Sequence, residues 1–117
     1  MKIQGKVWGS SYALFNKNNV EVSAITVKSG GYCSKHRHAT KYNMFIIWSG
    51  RLKVTIWKDY NGDVLEDVTF ADAGHEVIVE PGDYHMFEAL EDVEALEIYW
   101  TELDANDIER CNHGGLN

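Results

Sequence analysis

The chain reads as an all-β domain, and three observations predict it. Through its first hundred or so residues the apolar and β-branched positions alternate or run in short blocks, with almost no helical period to compete. Turn signals separate these blocks at short intervals, at Ser49-Gly50, Asn61-Gly62, Ala73-Gly74 and Pro81-Gly82. The blocks themselves are rich in Val, Ile, Tyr, Phe and Trp, which suit a pleated, half-buried surface.

Eight strands are predicted, over residues 20–27, 31–37, 42–48, 51–57, 64–70, 75–79, 85–89 and 95–100. That number suits a closed barrel or sandwich. Residues 51–70 form one hairpin, because Asn61-Gly62 supplies two positions that tolerate positive φ. Pro81-Gly82, holding the only proline, pairs a fixed φ with a flexible one. After residue 100 the pattern changes: Asp104 is placed to cap a helical turn over 105–110, and Gly114-Gly115 breaks it. The tail is therefore expected as a short helix or an irregular segment.

A chain of 117 residues fits one domain spanning residues 1–117. With 44% hydrophobic and 25% charged residues it falls among folded globular proteins. The net charge of -7, without a run of basic residues, makes nucleic acid and anionic membrane poor partners on bulk electrostatics, and neither is expected. The start, MKIQGKVWGSSYALF, has no apolar core of the signal-peptide kind, and a cytoplasmic location is expected. Cys33 and Cys111 are too few for a disulfide framework, and Cys33 is read as a small strand residue.

His36 and His38 are the chemical signal. On an extended chain, residues i and i+2 face the same side, so both imidazoles enter one cavity while Arg37 points away. His85, just after the Pro81-Gly82 turn, supplies a third. Three converging imidazoles hold a divalent transition metal and leave coordination positions open. Glu97 and Tyr99 share one face of the last strand, Leu96, Ile98 and Trp100 the other. If the first face is inward, Glu97 is the catalytic carboxylate or a substitute ligand. Glu88 is a poorer candidate, since His85 and Phe87 have the opposite parity. Phe45, Tyr84, Phe87, Tyr99 and Lys41 flank the histidines and are candidate substrate contacts, against an alternative of ordinary core packing for the aromatics. Lys35, Arg37 and Lys41 form a local cationic patch fit for a phosphate or carboxylate, or a solvated edge. Trp48 and Trp57 are candidates to cover an interface, and His113 belongs to the tail.

The spacing Gly30-x5-His36-x-His38-x4-Asn43-x6-Gly50 resembles the first cupin motif, and Gly74-x7-Gly82-x2-His85 resembles the second. Trp8-Gly9-Ser10 near the start and Asp107-Ile108-x-Arg110 near the end extend the likeness, which is then to the cupin domain of type II mannose-6-phosphate isomerases and related sugar-nucleotide enzymes. The resemblance implies a double-stranded β-helix, the cupin jelly-roll barrel. It also implies one divalent ion (Zn, Mn, Fe or Ni) on His36, His38, His85 and a glutamate of the first motif, and pairing of barrels as a homodimer. Here Asn43 stands where that glutamate belongs. An amide oxygen can ligate a cation but brings no charge and cannot act as a general base.

The functional expectation is a metal-dependent sugar or sugar-phosphate isomerase or epimerase. In it a metal polarises a carbonyl and Glu97 shuttles a proton. The alternative is a non-catalytic module that keeps the barrel and binds a carbohydrate or other small ligand, a reading that Asn43 favours. A non-heme iron oxygenase ranks third, since its facial triad requires a carboxylate that the first motif lacks.

Overall fold

The nine strands seen in the computed structural model, which describes residues 3–116, begin earlier in the chain than the sequence signal did. They are β1 (Ile3–Lys6), β2 (Gly9–Lys17), β3 (Val20–Val27), β4 (Tyr42–Ser49), β5 (Arg51–Tyr60), β6 (Asp63–Asp72), β7 (Glu76–Val79), β8 (Tyr84–Ala89) and β9 (Val93–Trp100). All pairings are antiparallel: β1-β2-β3-β9-β4-β7 make one sheet and β6-β5-β8 the other, giving the expected jelly-roll.

The core lies between the sheets and follows the period of two. On β4, Asn43, Phe45 and Ile47 face inward, and on β9 Val93 and Ala95 do, with Glu97 and Tyr99 continuing that face. Leu52, Val54, Ile56, Phe87 and Ala89 close it from the smaller sheet. Each such fully buried aliphatic or Phe side chain contributes about 1.5–3 kcal/mol by leaving water, so the walls around the site are set by packing.

The 51–70 hairpin is present as Arg51–Tyr60 against Asp63–Asp72, turning at Asn61 (φ 55°) and Gly62 (φ 93°). Gly50 links β4 to β5 at φ 87°, where a Cβ would lie 2.1 Å from the Asp92 carbonyl oxygen, so only glycine fits.

Two expectations are corrected, and an alternative in the tail is decided. β1 and β2 were not foreseen, because their residues are mostly exposed or only partly buried and Gly5, Gly9 and two serines dilute the alternation. Residues 31–37 form no strand: they meet β8 through isolated bridges at Tyr32–Glu88 and His36–His85 and single backbone bonds at Gly31 and Cys33. Among the described residues the tail holds no helix. Asp104 does cap, its carboxylate accepting from the Asn106 amide at 2.9 Å, but one turn forms and stops, leaving the irregular alternative. Among the described residues no helix is long and apolar enough to cross a membrane.

Candidate metal centre

His36 and His38 come from the segment between β3 and β4, and His85 from β8. The His36 amide donates to the His85 carbonyl at 3.1 Å and the His85 amide to the His36 carbonyl at 2.8 Å, so one reciprocal pair sets two of the ligand backbones side by side. His38 is fixed from the Pro81-Gly82 turn, where the Gly82 amide donates to its carbonyl at 2.8 Å. The ring centroids stand 4.5 Å (His36–His85), 5.0 Å (His36–His38) and 5.4 Å (His38–His85) apart. One nitrogen from each ring lies within 4.8 Å of the other two.

The same device orients two of the rings. His36 Nδ1 donates to the Ser34 carbonyl at 2.7 Å and His85 Nδ1 to the Asp83 carbonyl at 3.0 Å. A carbonyl only accepts, so Nδ1 carries a proton in each of these rings and Nε2 is the nitrogen left for another partner. Burial lowers the pKa of His85, and burial followed by Lys41 lowers that of His38 to about 4. Both imidazoles are therefore neutral near pH 7, the form that ligates a metal.

Buried polar atoms normally find partners. His38 Nε2, His85 Nε2 and Asn43 Oδ1 have none. Two lone-pair donors left unpaired among three converging imidazoles fit a bound transition metal, and His36, His38 and His85 are the residues that would hold it. Asn43 is 1% exposed and faces inward, its amide nitrogen 3.4 Å from the Ile98 carbonyl.

Beside the cluster lies a cavity of about 450 Å³. Its walls include Trp8, Cys33, His36, Phe87, Glu97 and Tyr99, with Gln4 and Lys6 of β1 also lining it. Glu97 thus faces in, as its strand parity allowed, but it is not part of the histidine cluster. Tyr99 donates to Glu97 Oε2 at 3.1 Å and meets the His38 ring edge-on at 5.2 Å. Burial raises the Glu97 pKa, and burial next to Glu97 holds the Tyr99 phenol protonated. Burial also pushes the Cys33 thiol up to about 11, so it is inert at neutral pH.

The other sequence candidates disperse. Phe45 packs edge-on against Phe87 in the core, and of the two only Phe87 reaches the cavity. Tyr84 sits on the opposite face of β8 from His85 and is 41% exposed. Lys41 lies over the Tyr99 ring at 4.0 Å, while Lys35 and Arg37 lie over Trp57 and Tyr84 on the outside of the barrel. Trp8, Tyr32 and Lys6 were missed as cavity residues. Trp8 belongs to a visible Trp-Gly-Ser signature, but with β1 and β2 unrecognised nothing placed it against Phe87 at 5.2 Å.

No protein-family model and no curated protein matches the sequence. Solved structures do share its fold. The cupin domain of Cnp3 from Schizosaccharomyces pombe is 16% identical, covering 87% of this chain and 69% of that one, with a TM-score of 0.70. KdgF from a Halomonas species is 13% identical over 89% of both chains, TM-score 0.70. A variant of oxalate decarboxylase from Bacillus subtilis is 16% identical over 86% of this chain and 27% of its own, TM-score 0.75. At these identities the likeness is one of architecture, the cupin jelly-roll.

Proposed function

We propose that this chain is a metal-dependent cupin that moves a proton on the carbon next to a carbonyl of a small polyoxygenated substrate, a sugar or sugar phosphate, as an isomerase or epimerase does. The carrying observation is the pairing within one cavity of His36, its ring oriented by the Ser34 carbonyl, and Glu97, whose carboxyl is raised by burial and accepts a hydrogen bond from Tyr99. His36, His38 and His85 would hold a divalent ion, which would supply Lewis acidity toward a carbonyl oxygen.

The protein's own residues do the rest. Glu97 takes the proton, and a carboxyl raised toward neutrality is better matched to that task than an ordinary one. Tyr99, kept protonated, holds the carboxylate in place through its hydroxyl. Trp8 and Phe87 exclude water from the inner wall, and Lys6 and Gln4 offer donors at the β1 side for a phosphate or hydroxyl. Asn43 Oδ1 is a neutral oxygen available to the ion or to a ligand hydroxyl. Oxalate decarboxylase, of the same architecture, acts on another small molecule dense in oxygen, which supports the size and polarity of the substrate.

Metal-loaded protein incubated in D2O with aldose and ketose phosphates tests this directly. Deuterium should enter at the carbon next to the carbonyl, and Glu97→Gln should slow its entry by about 100-fold or more. Binding of the sugar with no deuterium entry would establish instead the second reading, a non-catalytic binding module, which the charge-free Asn43 favours.

A further inference from the structure

The segment that carries His36 and His38 is not a strand; backbone hydrogen bonds tie it to β8 and to the Gly82 turn, but they do not hold the side chains that alternate with the histidines. His36 and His38 turn inward, and Lys35 and Arg37 turn outward onto aromatic rings: Lys35 Nζ lies 4.0 Å from the Trp57 ring centre and 5.8 Å from that of Tyr84, and Arg37 Cζ lies 4.8 Å from Tyr84. Trp57 and Tyr84 are direct cross-strand partners on β5 and β8, and the next rung pairs Ile56 with His85. The two strands that present His85 to the cavity therefore present an aromatic pair on their outer face, one residue away.

The choice of partner is informative. The chain carries 18 acidic side chains against 11 basic ones. Yet among the described residues no carboxylate pairs with Lys35 or Arg37, the ion pairs being Arg51–Asp72 and Lys58–Asp83. Flat rings hold a cation while its methylene stem packs along them, which constrains the backbone on both sides of His36. The second ion pair extends the arrangement: Lys58, next to Trp57, bonds Asp83 at 3.0 Å, and the Asp83 carbonyl orients His85.

We propose that Trp57 and Tyr84 are positioning residues, an outer aromatic clamp that grips Lys35 and Arg37 and thereby aims His36 and His38 at the site. The clamp's link to a metal rests on the reading of the three histidines as ligands; its effect on the segment does not. The test uses the full chain, first without metal. In Trp57→Ala/Tyr84→Ala, hydrogen exchange of the His36 amide should accelerate by about 10-fold or more, while the Val54 amide of β5 keeps its protection. Zn2+ affinity should fall by roughly 10-fold, the lower end of what outer-shell partners of a metal site contribute. Trp57→Phe/Tyr84→Phe should restore both. Lys35→Met/Arg37→Met, which leaves the sheet's aromatics intact, should reproduce the loosening even if the double alanine variant fails to fold. Unchanged His36 exchange in the folded methionine variant overturns the clamp, whether or not Zn2+ binds. A wild-type protein that takes up no Zn2+ while His36 exchange still responds supports the clamp and removes the metal reading.

Discussion

The imidazoles and the carboxylate of this cavity are held on opposite terms. Each of two histidines has its Nδ1 satisfied by the carbonyl two residues before it, while two Nε2 atoms of the cluster are buried without a partner. Glu97 has a donor in Tyr99, and burial favours its neutral form. Asn43, on the strand next to Glu97, is intermediate: buried, uncharged and with an orphan oxygen. The difference teaches where each chemistry is kept. The side built to give lone pairs is left unsatisfied, and the side built to exchange a proton is solvated by the protein. The resemblance of the sequence to the first cupin motif implies one glutamate beside the histidines. Here the carboxyl stands one strand over, on β9, outside their cluster.

Breaking the histidine side should have the largest effect. His85 is 2% exposed and its Nε2 has no other use, so His85→Ala should lower Zn2+ affinity by more than the roughly 10–100-fold that loss of a mere outer-shell partner costs. Titration calorimetry measures it. An unchanged affinity would show that the imidazoles do not converge on an ion.

Moving the charge back to β4 sharpens the comparison. Asn43→Asp puts a carboxylate into a fully buried position, which without metal should destabilise the fold by on the order of 3 kcal/mol. With Zn2+ present the loss should be recovered, because an ion that binds only the native state stabilises it by mass action. The check is the denaturant midpoint with and without Zn2+, in variant and wild type. Equal metal responses in the two would place side chain 43 away from the cluster.

Much of this was legible in the sequence because period-two alternation is local. The hairpin over residues 51–70, the division of β9 into a Glu97–Tyr99 face and a Leu96–Ile98–Trp100 face, and the pairing of His36 with His38 follow from neighbouring residues. What was not legible depends on distant ones. That His85 joins them is set at a distance, by the reciprocal backbone bonds between His36 and His85 that dock the 31–38 segment on β8. Trp8 reaches the cavity through β1 and β2, whose exposed, serine- and glycine-containing pattern has little alternation to read. Lys35 and Arg37 suggested an anion patch; their charges are instead occupied by rings that come from β5 and β8.

The smallest effect tests the carboxylate side, and its sign is fixed by linkage. Below the unfolded-state pKa near 4.5, Glu97 is protonated in both states and contributes nothing that varies with pH. As pH rises above that value the unfolded chain loses its proton first, while the buried carboxyl keeps its own until the raised native value is passed. The native state then binds more protons than the unfolded one, so stability falls with rising pH through that window. Each unit of elevation is worth about 1.4 kcal/mol. Glu97→Gln cannot ionise and should lose this slope, so its denaturant midpoint should gain on the wild type as pH rises above about 4.5. Parallel curves would mean that Glu97 titrates as it does in water, leaving the cavity with imidazoles and no tuned acid beside them.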